Sequence, residues 1–316
     1  MRETIVLRAI GLLEKKGFLI SSYAHSNNCF DLAAKKDNAL LLIKIFENID
    51  ATRPEQAIEL KKLATAFFAT PIILGEKTKA GGLNDSMVYE RYGVNCITIN
   101  SFEDYLNNRM PQAWHFKGKT LVELDTQKLK KTMEHRGIST AGLAKLVNLA
   151  PKTVYGYERG SHSSLETAKK IEQELSTALI KGIDLNEKKI WEQIFEKNPG
   201  DEIFEKITKL GLELALFEHA PFEAFGHPKG SLLISKADSP LEVKRKGLKL
   251  KETKKIVNAD TVIIAKKSGK KSTESTAIIE EEELDSFSGK KDLLETIKER
   301  EKNAGRIFLE KKKRTR

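Results

Sequence analysis

Gly137-Ile-Ser-Thr-Ala-Gly-Leu-Ala-Lys-Leu-Val-Asn-Leu-Ala-Pro-Lys-Thr-Val-Tyr-Gly-Tyr-Glu-Arg-Gly160 reads as two short helices and the turn between them. Ser139 offers a hydroxyl as N-cap for a helix over 140–147, whose Leu143, Ala144 and Val147 form one apolar face. Asn148 tolerates a positive φ and supplies the turn. A second helix over 151–158 starts on Pro151, where a missing N–H costs nothing, and buries Val154 and Tyr157. With Val154 inward and 100° per residue, Lys152, Tyr155, Gly156 and Arg159 lie on the opposite or flanking face. Upstream, Leu129 and Met133 are one helical turn apart, and Gly137 suits a helix terminator. Downstream, Ser163-Ser-Leu-Glu166 reads as a capping box, opening a helix with Ala168, Ile171 and Leu175 as its apolar stripe.

In order and spacing, Gly137-Ile-Ser, Ala141-Gly-Leu-Ala144, Pro151 to Gly160 and Ser164-Leu-Glu-Thr-Ala168 resemble the Cro/repressor (XRE) helix-turn-helix family. The resemblance implies a double-stranded DNA partner and a homodimer on a two-fold site, because one such helix reads few base pairs. It implies a DNA-binding set of Ser139, Thr140, Lys152, Thr153, Tyr155, Gly156 and Arg159. Within it, Thr140 stands where a phosphate-contacting Gln is usual, Lys152 and Gly156 at base-reading positions, and Arg159 near the sugar-phosphate backbone. Two departures stand out: Thr140 is shorter than Gln, and Gly142 replaces an acidic capping partner. Gly156 also lowers helix propensity by about 1 kcal/mol relative to Ala. The alternative is a helix-turn-helix turned into a protein-docking module.

Bulk properties agree with a polyanionic partner. Across 316 residues, 55 Lys and Arg against 45 Asp and Glu leave a formal charge of +10. Only Cys29 and Cys96 are present, without metal-ligand spacing, so no disulfide framework or zinc site is indicated. The N-terminal stretch carries Arg8, Glu14 and Lys15 and reads as an amphipathic helix rather than a signal peptide. The longest uncharged run, 63–75, contains Pro71 and is too short to span a bilayer. A cytoplasmic protein without membrane contact is expected, and no cofactor motif is visible. Lys79-Ala-Gly-Gly82 reads as a lone glycine turn.

Around the helical module lie two α/β segments. The first predicts a helix over 3–16, strands over 18–23, 29–34 and 39–46, a helix from Pro54, strands over 70–74 and 94–99, and a short helix over 101–107. Residues 117–124 read as a connection, and 125–182 lack any strand pattern. The last segment echoes the first. Gly17-Phe-Leu-Ile with His25 is matched by Gly211-Leu-Glu-Leu with His219, and Phe30-Asp31 by Phe222-Glu223. Leu40 to Lys44 is matched by Leu232 to Lys236, and Thr70-Pro-Ile-Ile-Leu74 by Thr261-Val-Ile-Ile-Ala265. The expected fold is a multidomain α+β chain: an α/β sandwich over 1–116, an all-α module over 124–184, and a smaller α/β domain over 190–305 that repeats the first. A basic tail over 306–316 reads as solvated chain or as a phosphate-seeking arm.

The first segment resembles the restriction-endonuclease-like PD-(D/E)XK fold, where an Asp and a Glu-x-Lys hold a divalent metal ion. Asp31 and Lys44 match two of those positions, but the second acid is Leu42, and an apolar side chain cannot ligate a hard cation. Glu47 could offer an oxygen only from a shifted place. The C-terminal copy has Glu223 and Leu233-Ile-Ser-Lys236 without an acid. Asp31 and Lys44 are therefore expected to form a cross-strand pair in a vestigial site, and His25 and His219 to be strand-end surface groups. No catalytic residue, metal or cofactor is assigned. The whole arrangement resembles an archaeal family named "putative HTH-type transcriptional regulatory protein", implying a non-enzymatic regulator with unknown effector. A metal-dependent nuclease or junction resolvase targeted by the helix-turn-helix is the alternative.

Overall fold

A computed structural model describes residues 2–24, 26–186, 194–196, 199–227 and 231–314, with side chains outside the description at His227 and beyond Asn303. His25 lies outside the described residues. In chain order the elements begin with α1 (Arg2–Lys15), β1 (Leu19–Ser22), β2 (Leu32–Lys36), β3 (Ala39–Ile45), α2 (Pro54–Phe67), β4 (Thr70–Leu74), β5 (Lys77–Thr78), β6 (Gly81–Gly82), β7 (Met87–Arg91), β8 (Val94–Ile97) and α3 (Ile99–Leu106). There follow β9 (Ala113–Phe116), β10 (Lys119–Val122), α4 (Thr126–His135), α5 (Thr140–Leu146), α6 (Pro151–Tyr157), β11 (Ser163–Ser164) and α7 (Leu165–Glu174). The chain closes with α8 (Glu202–Lys209), β12 (Glu213–Leu216), β13 (Ala224–His227), β14 (Leu232–Ala237), α9 (Pro240–Ile256), β15 (Asp260–Ala265), β16 (Ser272–Thr273), β17 (Thr276–Glu280) and α10 (Lys290–Arg314).

Two compact units result, each discontinuous in sequence: Met1–Lys16 with Ile45–Thr52 and Ile72–Glu187, and Gly17–Lys44 with Arg53–Pro71 and Lys188–Arg316. In the first, β4 and β8 are parallel, with Ile72 beside Asn95 and Leu74 beside Ile97. Both are mostly apolar, Asn95 being the exception in β8, as strands covered on two faces require. β7 is antiparallel to β8 and parallel to β9. Here the structure corrects two expectations. Residues 117–124 are no mere connection, because β9 and β10 form an antiparallel hairpin. Nor is 125–182 strand-free, since β11 pairs with β10, Leu121 opposite Ser164. The glycine turn at 79–82 is the tip of the small β5–β6 hairpin, and β7, which no sequence pattern announced, completes the sheet.

The helical module is closed at its stem. Asp125 N donates to Leu179 O at 2.8 Å and Lys181 N to Glu123 O at 2.9 Å. Its core joins Leu129, Met133, Leu143, Ala144, Val154, Ala168 and Ile171 to Ala113 and Val122 of the hairpin.

In the second unit, β1, β2 and β3 form an antiparallel meander. The other sheet runs β12-β13-β14-β15-β17-β16, with β14, β15 and β17 parallel. Phe204 and Ile207 of α8 and Leu293 and Ile297 of α10 cover one face of it, against Leu214, Ile234, Val262 and Ile264. α9 approaches closely at Gly247, where a Cβ would stand 2.8 Å from Thr273 Cγ2. The basic tail expected over 306–316 is, through Arg314, the end of α10. Among the described residues no helix is long and apolar enough to cross a membrane.

Candidate nucleic-acid interface

Local sequence fixes α5 and α6. Ser139 Oγ accepts from Gly142 N at 3.1 Å, satisfying one of the orphan donors of a helix start. Asn148 takes φ 54° in the turn, and Gly137 takes φ 62° at the end of α4. Pro151 occupies the first turn of α6. The capping box read at Ser163–Glu166 is displaced: Ser164 is the N-cap of α7, accepting from Thr167 N at 3.1 Å, so Glu166 instead pairs with Lys170. Ser163 is buried because it belongs to β11.

On α6 the two faces separate as the periodicity demands. Val154 is 0% and Tyr157 8% exposed, whereas Tyr155 is 52% exposed and Lys152, like Arg159 in the turn that follows the helix, is open to solvent. Thr153 and Gly156 are intermediate. Arg159 Nη1 donates to Tyr155 Oη at 3.0 Å, and its guanidinium carbon lies 5.6 Å from the Tyr155 ring centroid, within cation–π range. The two side chains, one helical turn apart, form a single preset unit. Sequence reading placed both on the exposed face without foreseeing the pairing.

Gly156 has a local reason. A Cβ there would stand 3.2 Å from Ser161 Oγ, and Ser161 N donates to Gly156 O at 3.0 Å, so the missing side chain lets the following loop fold back. Thr140 is half-buried and donates to Glu158 Oε1 at 2.8 Å, tying α5 to the end of α6. A carboxylate beside Thr140 works against a phosphate approaching it.

The Asp31 region is built differently. Pairing of Leu32 with Ile43 sets Asp31 opposite Lys44, and Lys44 Nζ lies 3.2 Å from Asp31 Oδ1 and 2.7 Å from Asn28 O. Asp31 is 0% and Lys44 6% exposed. Leu42, on the same face, is buried, and Glu47 pairs with Lys77. A single carboxylate neutralised by a lysine beside a leucine does not fit a divalent cation, which wants six or more oxygens. In the C-terminal sheet, Ala224 beside Ile234 sets Glu223 opposite Ser235, so Ser235 rather than Lys236 takes the place of Lys44. Glu223 draws its lysine from α9, with Lys246 Nζ at 2.5 Å. Lys236 pairs with Asp201 instead. Glu223 Oε2 and Ser235 Oγ have no hydrogen-bond partner among the described residues. His219 is half-exposed beyond the end of β12, its backbone N donating to Glu59 Oε2 at 2.7 Å. Both thiols are buried, which pushes their pKa up and makes thiolate chemistry remote.

Comparison with known proteins matches residues 2–111 to a PD-(D/E)XK superfamily domain and residues 129–179 to a helix-turn-helix family. No solved structure matches the chain. A protein of Archaeoglobus fulgidus named "Putative HTH-type transcriptional regulatory protein" is 32% identical over 305 residues, covering 95% of this chain and 99% of its own. Proteins bearing the same description in Methanocaldococcus jannaschii and Thermococcus kodakarensis are each 31% identical, over 94% of this chain and 97% and 95% of theirs. With the exposed basic face of α6, the nuclease-like fold ahead of it, and relatives matched almost end to end, the chain belongs to this family of archaeal HTH-type transcriptional regulatory proteins.

Proposed function

We propose that the protein is a cytoplasmic, non-enzymatic transcription regulator that lays α6 in the major groove of duplex DNA. One observation carries this reading: Lys152 and Tyr155 stand exposed on α6, with Arg159 exposed in the turn just after it, while Val154 and Tyr157 lock the helix's other face into the core. Lys152 and Thr153, near the helix start, reach base edges. The Tyr155–Arg159 unit spans groove and backbone, Gly156 allows close approach, and Ser139 meets the groove edge. Thr140 acts by positioning α5 on α6.

The Asp31–Lys44 pair serves in this reading as a remnant of a nuclease-like fold turned to structure. The two sheet domains are copies of one unit. Each runs helix, three-stranded antiparallel meander, helix, strand, and then a parallel strand with an antiparallel partner. Within the second unit their contacts are reciprocal. Tyr23 of β1's end bonds Thr253 of α9 at 2.8 Å, while Phe67 of α2 packs edge-on against Phe222 and Phe225, 5.9 and 5.2 Å between centroids.

Selection of bound fragments from genomic DNA with the purified chain tests the reading. Lys152→Glu is expected to weaken binding to the selected fragment at least about tenfold, as loss of a groove contact with reversal of charge implies, at unchanged melting temperature. Unaltered affinity removes Lys152 from the groove. Incubating linear and branched DNA with magnesium or manganese separates the nuclease alternative: cleavage abolished by Asp31→Ala would overturn the non-enzymatic assignment.

A further inference from the structure

The β9–β10 hairpin is anchored to the reading module and has no work to do as a linker. At its base, Ala113 and Val122 are 5% and 0% exposed, inside the same core as Leu129, Val154 and Ala168. Along its edge, Leu121 and Val122 pair with Ser164 and Ser163. These two serines lie between the loop that leaves α6 and the start of α7, the stretch that begins with Arg159. On its other edge, Trp114 pairs in parallel with Val88, and the His115 ring sits 4.9 Å from that of Tyr89.

The tip is equally well fixed. Lys117 and Gly118 take φ 49° and 76°, the left-handed pair of a two-residue hairpin turn whose twist matches its strands. From Leu121, beside Ser164, to Gly118 is three residues, so at about 3.3 Å per residue the tip stands roughly 10 Å beyond β11. There Phe116 is 56% exposed, with Lys117 Nζ 5.2 Å from its ring centroid. Lys117, Gly118 and Lys119 are all open to solvent. No Asp or Glu occurs from Leu106 to Val122, nor from Arg159 to Leu165, so neither the hairpin nor the loop that leads into β11 carries a carboxylate of its own. An exposed aromatic flanked by two lysines on a stiff arm suits a polyanion with a flat, partly apolar edge, which is what the sugar-phosphate strand of a duplex presents.

We propose that the β9–β10 hairpin is a second DNA-contacting arm, which places Lys117 and Lys119 on backbone phosphates beside the site read by α6, with Phe116 against the deoxyribose edge. The proposal rests on the reading that α6 binds DNA. Its contribution is to affinity and register, not to base preference, because phosphates carry no sequence.

The test uses the full chain and a mixed-sequence duplex of about three helical turns, titrated over a range of salt concentrations. K117E/K119E is expected to weaken binding by about tenfold or more and to reduce the slope of log K against log salt by roughly two, since each lost phosphate contact removes about 0.9. Phe116→Ala is expected to weaken binding several-fold at unchanged salt slope. Preference for the selected genomic fragment over a scrambled one is expected to survive in both variants and to be lost in Lys152→Glu. If the double charge reversal fails to fold, K117Q/K119Q supplies the same comparison. Wild-type affinity and slope in the hairpin variants, with Lys152→Glu impaired, overturns the arm and leaves the α6 reading standing; a hairpin that serves a protein partner gives this result. Failure of Lys152→Glu to alter binding overturns the α6 reading, and the arm with it.

Discussion

Glu283 shows how one side chain sets a pH response. The Arg300 guanidinium grips both its oxygens, at 2.9 and 3.0 Å, and Lys271 and the Glu280 backbone N–H add to the hold. Arg300 first, then these others, bring the carboxyl pKa down from 4.5 to about 2. A carboxylate lowered on folding stabilises the native state fully above its unfolded value, and that stabilisation is lost as pH falls through the folded one. The thermal midpoint is therefore expected to drop on acidification from about pH 5 toward pH 3 more steeply in wild type than in Glu283→Gln. Equal slopes would show that another group carries the response. Among residues the sequence did announce, Asp31 and Lys44 meet as a cross-strand pair because strand period and register are local properties. The lysine serving Glu223 was not legible, since Lys246 arrives from α9, and no spacing in the chain reveals which helix crosses which strand.

At the scale of elements, α5 and α6 stand on a shared apolar seam. Leu143 is 0% exposed, and truncation of a buried leucine costs about 2–5 kcal/mol where neighbours cannot collapse into the gap. Leu143→Ala is expected to lower the stability of the helical module by that order in denaturant unfolding, and to reduce DNA binding in proportion to the unfolded fraction. A fully folded variant with lost binding would place Leu143 itself at the interface. Both helices were readable because caps and turn residues are local signals: Ser139, Asn148 and Pro151 each hold the predicted place. The hairpin and β11 escaped because two-residue strands such as Ser163–Ser164 carry no periodicity, and their pairing joins residues some forty positions apart. Lys117-Gly118 was the one usable sign, a two-residue turn ending in glycine. For the same reason the α7 cap was placed one residue early, at Ser163, which the ladder claims.

For the whole molecule, the helix-turn-helix lies in the sequence between two α/β segments, parts of which contact each other reciprocally within the second unit. The surfaces around Tyr23, Thr253, Phe67 and Phe225 are thereby occupied inside one chain, so any pairing of two chains must use other faces. Two copies on one two-fold site remain the expectation, because a lone α6 covers too few base pairs to be selective. Light scattering of the chain bound to its selected fragment is expected to give two chains per duplex; one chain per duplex, at concentrations well above Kd, would assign a monomeric reader. The stem at Glu123 and Lys181 carries a different consequence. Chain enters and leaves the helices through one narrow neck, but Ala113 and Val122 of the hairpin stand in the helices' core and β10 flanks β11, so the exchangeable piece is hairpin and helices together. Moved into a relative without the hairpin, the helices would lose one wall of their core and β11 its partner, and such a graft is expected to melt at a lower temperature than one that carries both. Helices and hairpin are thus bound to change in step, each shaped by its fit to the other.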